Sequence, residues 1–226
     1  MTIEVERIRA MLFDVDGTLS DTDDQWVGRF ANMLRPFRFL FRDGNAHPFA
    51  RWTMMAIETP GNLVYYWLDR LHLDDEVTAL FNFMARRGIG RKSHPFWLIP
   101  GVDVALDQLG SHYPMAVVSA RGRESTLSFL RQFNLLDHFG AVATSQTCRY
   151  TKPFPDPLVW AAEQLGVQPH ECLMIGDTTV DMRAGKAAGA QTVGVLCGFG
   201  SEGELRRAGA DLVIPSTADL PAALGW

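Results

Sequence analysis

Short, mostly apolar runs that end in a polar or glycine-rich turn recur along the chain and predict the strands of a sheet. Runs that are apolar at successive positions are typical of strands that helices cover on both faces, as in a parallel sheet. The predicted strands span residues 11–13, 115–118, 141–143, 172–175, 192–195 and 211–214.

Helical patterns lie between the later predicted strands. Apolar positions at near-helical spacing predict helices over residues 123–133, 157–165 and 179–188. The second and third of these helices are expected to end at Gly166 and Gly189. Strand and helix therefore alternate, which predicts an α/β fold with a doubly wound, Rossmann-like parallel sheet. Such sheets bind ligands at the carboxyl ends of their strands.

Residues 20–96 lack the alternation of strand and helix patterns seen elsewhere. They have few strand signals and long mixed apolar and polar patterns. One helix in this stretch is expected to begin at Asp74 or Asp75 and to end at Gly88. We therefore predict two domains. Residues 1–19 and 97–226 form the Rossmann-like core, and residues 20–96 form an inserted helical cap domain.

Composition narrows the class of protein. The 226 residues are 47% hydrophobic and 21% charged, which is ordinary for a globular protein with a sizeable core. The formal net charge of −5 provides no general basic field for nucleic acid. Three scattered cysteines argue against a disulfide framework or a thiolate zinc site. No signal peptide or membrane-spanning run is evident, so we expect a cytoplasmic protein without membrane or nucleic-acid partners.

Two carboxylates directly follow the first predicted strand. Asp14 and Asp16 would point to opposite sides of a regular strand, but the chain turns at Gly17, so both can reach one site. Gly17 also lets the backbone approach a ligand closely. One carboxylate can attack phosphorus while the other serves as general acid and base. Asp-Gly is also a common turn, so this segment alone is a moderate signal.

Three further segments place polar groups near strand ends. The hydroxyl of Ser119 and the N–H of Ala120 are suited to hold phosphate oxygens. Lys152 precedes a proline-rich turn and is one of three lysines in the chain. Asp177 and Asp181, four residues apart, offer hard oxygen ligands that suit Mg²⁺ better than zinc. Taken singly, a serine after a strand is usually a helix cap, and a single lysine is normally a solvated surface charge.

Together and in this order, the DxDGT segment, the strand-end serine, the lysine and the GDxxxD segment resemble the haloacid dehalogenase-like hydrolase superfamily. The resemblance covers about residues 8–19 and 98–220. The long interval before Ser119 looks like that superfamily's helical cap of the first type. The stretches from Gly17 to Asp21 and from Lys152 to Pro157 look most like its phosphoglycolate phosphatase branch.

The resemblance implies catalytic and metal-binding roles for four aspartates. Asp14 would attack phosphorus and form an aspartyl-phosphate. Asp16 would protonate the leaving oxygen and then deprotonate the hydrolytic water. Mg²⁺ would bind the carboxylate of Asp14, the main-chain carbonyl of Asp16 and Asp177. Asp181 would act through a bound water or by orienting its neighbours.

The resemblance also implies a phosphate-binding set, which comprises Gly17, Thr18, Ser119, Ala120 and Lys152. Positioning and charge stabilisation by such groups are most of what phosphoryl transfer requires. The dehalogenases of the superfamily lack an aspartate at the position of Asp16, so its presence indicates an oxygen leaving group. We therefore expect a magnesium-dependent phosphatase that acts on a small phosphorylated metabolite, as a monomer or homodimer.

Several alternatives remain open at this point. The same aspartates could serve a phosphomutase, and a non-catalytic phosphate-binding module is a second possibility. Cleavage of a carbon–phosphorus bond would need a Schiff-base lysine in the cap, where Lys92 lies in an exposed-looking loop. The arginines of the predicted cap could bind an acidic leaving group or could be solvated on helix surfaces. They are Arg35, Arg38, Arg51 and Arg70.

Overall fold

A computed structural model describes residues 3–21, 34 and 96–226 of the chain. The chain divides into two compact units, of which the first joins Met1–Asp24 to Phe96–Trp226 and the second is Gln25–Pro95. Apart from residues 20, 21, 34 and 96, the predicted helical cap with its arginines and Lys92 lies outside the described residues, and these stay predictions.

Six strands and six α-helices alternate along the described residues 3–21 and 96–226. The strands are β1 (Ala10–Phe13), β2 (Met115–Val118), β3 (Phe139–Ala143), β4 (Cys172–Gly176), β5 (Gln191–Val195) and β6 (Leu212–Ile214). The helices are α1 (Val102–Gly110), α2 (Arg123–Gln132), α3 (Asp156–Leu165), α4 (Thr179–Ala188), α5 (Glu202–Ala208) and α6 (Leu220–Ala223). Among the described helices, none is long and apolar enough to cross a membrane.

The six strands form one parallel sheet in the order β3-β2-β1-β4-β5-β6. The chain builds outward from β1 through β2 and β3, then returns to the other side of β1 with β4. The switch in direction between β1 and β4 is where doubly wound sheets open a ligand-binding crevice. Phe13 is in register with Val117 of β2 and Ile175 of β4, so these three strands end at one level. The residues that follow them therefore meet at one edge of the sheet.

Helices cover both faces of the sheet, as the apolar runs predicted. Phe13 faces one side and packs in a cluster with Leu106 of α1 and Phe129 of α2. Leu12 faces the other side and packs in a second cluster with Leu158 of α3. All five side chains are fully buried. Removal of each from water stabilises the fold by about 1.5–3 kcal/mol before entropy costs.

The predicted α/β fold with a doubly wound parallel sheet is confirmed. All six predicted strands are present, with bounds that agree within two residues; β2 matches its predicted bounds, whereas β3 begins at Phe139 rather than residue 141. The three predicted helices are α2, α3 and α4. The last ends at Gly189, whose φ of +81° is a left-handed conformation that favours glycine. Helices α1, α5 and α6 were not predicted from the pattern.

The two segments that join the core to the inserted region lie side by side. The N–H of Asp21 donates to the carbonyl of Trp97 (2.9 Å), and the N–H of Ile99 donates to the carbonyl of Leu19 (3.0 Å). Ser20 and Leu98 thereby form an antiparallel bridge, and Ser20 also bridges to Asp16. The chain consequently leaves and re-enters the core close to the turn that carries the two predicted catalytic carboxylates.

Candidate active site

The turn after β1 brings Asp14 and Asp16 to the same edge of the sheet. The N–H of Asp14 still donates to the carbonyl of Ile175 (3.0 Å), so Asp14 continues the strand by one residue. The chain then reverses through Gly17, whose φ of +67° lies in the left-handed region. The N–H of Ser20 closes the turn on the carbonyl of Val15 (2.7 Å).

Lys152 lies between two buried carboxylates. Its Nζ atom is 2.8 Å from Oδ1 of Asp14 and 2.6 Å from Oδ1 of Asp181. The lysine side chain is only 3% exposed. A buried ammonium is stable when it is paired in this way, because the two carboxylates replace the water that it has lost. Lys152 is thus a fixed positive charge inside the site. It is not the solvated surface charge that the sequence alone also allowed.

The carboxylates of Asp14, Asp177 and Asp181 converge on one point. Each offers an oxygen, and these oxygens lie within 4.8 Å of one another. All three residues are buried, and the ammonium group of Lys152 is buried in the same site. Three negative charges against one positive charge leave an excess of two when all are ionised, which matches a divalent cation. An all-oxygen donor set of this kind suits Mg²⁺.

Asp177 is held in place by a glycine-rich loop that follows β5. Its Oδ2 accepts a hydrogen bond from the N–H of Phe199 (2.8 Å), and its Oδ1 accepts one from the hydroxyl of Thr18 (3.4 Å). The neighbouring Gly198 packs so closely that an added Cβ would lie 2.1 Å from Oδ2 of Asp177. This loop was not predicted from the sequence, although the Gly198-Phe199-Gly200 spacing after a predicted strand was a signal.

Asp181 has a structural function as well as a place in the site. Its Oδ2 accepts hydrogen bonds from the N–H (3.0 Å) and the hydroxyl (2.7 Å) of Thr178, which caps the start of α4. Its Oδ1 is the oxygen next to Lys152. Both oxygens of Asp181 therefore have partners within the protein, and its orienting or water-mediated role toward a metal stays a prediction.

Asp16 does not join the three converging carboxylates. Its side chain forms a bidentate ion pair with Arg121, in which Nε donates to Oδ2 (2.5 Å) and Nη2 donates to Oδ1. The guanidinium carbon of Arg121 also lies 5.2 Å from the centre of the Phe96 ring. No role for Arg121 was predicted from the sequence. Its position two residues after the strand-end Ser119 was the available signal.

Burial and the neighbouring charges shift the pKa values of both Asp14 and Lys152. Burial raises the pKa of the Asp14 carboxyl to about 7; Lys152 opposes this rise, while Asp181 and Asp16 add to it. Burial alone would lower the pKa of Lys152. The carboxylates of Asp14 and Asp181 outweigh that effect and raise it. Without a cation, the site therefore holds one permanent ammonium and a nucleophile candidate that gains a proton near neutral pH.

The predicted phosphate-binding residues fall into two groups. Ser119 is buried, and its oxygen accepts from the N–H of Arg121 (3.1 Å), so its own hydrogen is still a donor. Ala120 is exposed beside it. By contrast, the N–H of Gly17 donates to the carbonyl of Ser20 (2.9 Å), and the hydroxyl of Thr18 donates to Asp177. The tight turn engages these groups internally, and a phosphate role for Gly17 and Thr18 stays a prediction.

Comparison with known proteins identifies relatives over nearly the whole chain. The model of the haloacid dehalogenase-like hydrolase family matches residues 11–195. The chain is 27% identical over 223 residues to a phosphoglycolate phosphatase of Nitrosospira multiformis, with 92% of each chain covered. It is 25% identical over 224 residues to the pyrophosphatase PpaX of Bacillus pumilus, with 96% of this chain and 97% of that one covered.

Solved structures share the fold. A hydrolase from Pseudomonas syringae superposes with a TM-score of 0.70 at 27% identity, and the match covers 96% of this chain and 97% of that one. A Thermotoga maritima protein assigned as a β-phosphoglucomutase superposes with a TM-score of 0.63 at 20% identity, over 96% and 98% of the two chains.

Proposed function

This chain belongs to the haloacid dehalogenase-like hydrolase family, and we propose that it is a magnesium-dependent phosphatase of small phosphorylated metabolites. The observation that carries the proposal is the buried Asp14 carboxylate beside the Lys152 ammonium (2.8 Å) at the switch point of the sheet. The relatives named phosphoglycolate phosphatase and pyrophosphatase support hydrolysis at phosphorus.

The first step forms a covalent intermediate on Asp14. A carboxylate oxygen of Asp14 bonds to phosphorus while the bond from phosphorus to the leaving oxygen breaks. Asp16, as a carboxylic acid, gives its proton to that leaving oxygen. Lys152 stabilises the charge that spreads over the phosphoryl oxygens, and the hydroxyl of Ser119 is a further donor at the same edge of the sheet.

The second step regenerates the enzyme. Water attacks the phosphorus of the aspartyl-phosphate, and Asp16 takes a proton from that water. The bond between phosphorus and the Asp14 oxygen breaks, which releases inorganic phosphate. Lys152 remains between Asp14 and Asp181 and holds the released carboxylate for the next cycle.

The residues proposed to hold magnesium are Asp14, Asp177 and the main-chain carbonyl of Asp16, with Asp181 as an orienting group. When bound, magnesium would offset the repulsion between a carboxylate nucleophile and a phosphate dianion. The convergence of three buried carboxylates around one lysine supports this assignment, because their excess negative charge is otherwise costly to bury.

Release of inorganic phosphate tests the proposal. We would assay p-nitrophenyl phosphate, phosphoglycolate, sugar phosphates and pyrophosphate with Mg²⁺ or with excess EDTA. We expect release that requires Mg²⁺ and vanishes in Asp14→Asn. Release that survives in a folded Asp14→Asn variant would exclude Asp14 as the nucleophile. An isomerised sugar phosphate without free phosphate would favour the phosphomutase alternative.

A further inference from the structure

We propose that Thr217 is a positioning residue, which fixes the turn after β1 and thereby keeps the proposed magnesium ligands in place. Thr217 lies beyond β6, 199 positions from the residue that it contacts in this turn. The inference rests on the magnesium site of the proposed function. It assigns a role in that site to a segment of the chain in which no motif of the sequence had indicated one.

The contact joins two buried groups. The hydroxyl of Thr217 donates a hydrogen bond to the carbonyl of Thr18 (2.6 Å), and both residues are fully buried. The thiol of Cys197, which follows β5, donates to the adjacent carbonyl of Gly17 (3.3 Å). Two successive carbonyls of the turn are therefore bound by side chains that follow β5 and β6. Buried polar groups are unfavourable without such partners, so these contacts hold the turn in one position.

The segment that carries Thr217 has hydrogen bonds and packing of its own. The hydroxyl of Ser216 accepts from the N–H of Ala218 (3.3 Å) and caps a short 3₁₀ turn that begins at Thr217. Ala218 packs against Gly101, where an added Cβ would lie 3.1 Å from the Cβ of Ala218. Removal of the Thr217 hydroxyl should therefore leave this segment in place and loosen the turn that it contacts.

The turn carries groups that are proposed to bind magnesium. The main-chain carbonyl of Asp16 is one of them, and Thr18 follows two residues later. The hydroxyl of Thr18 reaches another proposed ligand, because it donates to Oδ1 of Asp177 (3.4 Å). Hydrogen bonds thus lead from Thr217 through Thr18 to Asp177. Mg²⁺ demands near-ideal octahedral geometry, so a displacement of Thr18 should weaken its binding.

Thr192 provides a matched control that separates this role from general support of the fold. Thr192 is also fully buried, and its hydroxyl also donates to a main-chain carbonyl, that of Gly209 (2.9 Å). It lies near the amino end of β5, whereas the proposed magnesium ligands follow the carboxyl ends of β1 and β4. Valine in place of either threonine keeps its shape but removes the donor. Both variants should lose stability, but only the one at Thr217 should alter the Mg²⁺ site.

Calorimetric binding of Mg²⁺ tests the inference without a substrate. The variants are Thr217→Val, Thr217→Ser and the control Thr192→Val. We expect Thr217→Val to raise the Kd for Mg²⁺ by about fivefold or more, as loss of a buried hydrogen bond that positions the ligands implies. Thr217→Ser keeps the hydroxyl and should stay within about twofold of the wild type. Thr192→Val should keep the wild-type Kd, although thermal unfolding of both valine variants should occur at lower temperature.

Hydrogen exchange in the turn provides a second readout, which needs neither metal nor substrate. The N–H of Gly17 donates to the carbonyl of Ser20, and the N–H of Ser20 donates to the carbonyl of Val15. Their exchange rates are compared with those of the amides of β4, which corrects for global unfolding. This ratio should rise by about fivefold or more in Thr217→Val. It should keep its wild-type value in Thr217→Ser and Thr192→Val.

An unchanged Kd for Mg²⁺ in Thr217→Val would overturn the inference, and so would an unchanged exchange ratio. An equal rise of the Kd in Thr192→Val would overturn it as well, because any loss of stability would then weaken the site. If Thr217→Val does not fold, as judged by circular dichroism, Thr217→Cys decides by the same two measurements, since its thiol is a weak donor. A wild type that binds no Mg²⁺ would refute the proposed function, and the exchange ratio alone would then decide whether Thr217 fixes the turn.

Discussion

The Nζ atom of Lys152 lies 2.8 Å from Oδ1 of Asp14, with both side chains buried at the switch point of the sheet. Residue 152 follows a loop after β3, and residue 14 follows β1. In the proposed mechanism, this one lysine both neutralises the buried nucleophile and meets the charge of the phosphoryl group.

Lys152→Met should lower kcat by roughly 10²- to 10³-fold, the usual effect of removing one preorganised donor from a charged transition state. The measurement is phosphate release at saturating Mg²⁺. Lys186→Met is the matched control, because it removes an ion pair with Asp211 away from the site and should change kcat by less than about threefold. Near wild-type turnover by a folded Lys152→Met variant would contradict the proposed role.

Asp16→Asn should slow alkyl phosphates more than activated aryl phosphates. The amide has the shape of the carboxylate, and its oxygen can still accept from Arg121, but it cannot donate an acidic proton. A p-nitrophenolate leaves without protonation, whereas an alkoxide does not. We expect a loss of roughly 10²- to 10⁴-fold on alkyl esters and a clearly smaller one on p-nitrophenyl phosphate. Equal losses on both would argue against Asp16 as the general acid.

The affinity for Mg²⁺ should weaken as the pH falls below about 7. Burial raises the pKa of Asp14 to about 7 in the absence of metal, so below that pH a cation must displace a proton. The apparent Kd for Mg²⁺ should rise by up to about tenfold per pH unit below 7 and level off above about 8. Calorimetric titration at several pH values measures this slope. Asp14→Asn should bind Mg²⁺ more weakly, and its apparent Kd should no longer depend on pH in this range. A pH dependence that persists in this variant would show that the proton displaced by Mg²⁺ belongs to another group.

Gly198→Ala should weaken magnesium activation by displacing Asp177. The added Cβ would lie 2.1 Å from Oδ2 and 2.5 Å from Cγ of Asp177, so the carboxylate or the loop has to move. We expect at least a tenfold higher Mg²⁺ requirement and a loss of about 1–3 kcal/mol in the free energy of unfolding.

Gly203→Ala is the control for Gly198→Ala, because it lies in α5 with nothing within 4 Å of the added Cβ. It should leave the Mg²⁺ requirement unchanged and stabilise the helix slightly. Chemical denaturation and Mg²⁺ titration of phosphate release separate the two effects. If the two alanine variants have the same Mg²⁺ requirement and the same stability, the proposal that close packing of Gly198 holds Asp177 in place is wrong.

The pattern of apolar positions was sufficient to predict the sheet. The strands of a doubly wound fold are buried on both faces, so each appears as a local apolar run that needs no knowledge of its neighbours. Helix ends at Gly166 and Gly189 were equally local signals. Helices α1, α5 and α6 escaped prediction; α5 and α6 have seven and four residues, too short for a clear helical period. The family resemblance is confirmed by the match over residues 11–195.

The sequence by itself determined the α/β class of the core and the edge of the sheet where Asp14, Ser119 and Asp177 would meet. Local apolar periodicity and the ends of parallel strands specify both. The tertiary structure alone decided the pairings at that edge. Arg121 binds Asp16 across 105 positions, and the N–H of Phe199 binds Asp177 across 22. Such contacts depend on how separate loops pack over the sheet. Every residue except proline has a backbone N–H, so the residue type of Phe199 does not indicate that its N–H binds Asp177.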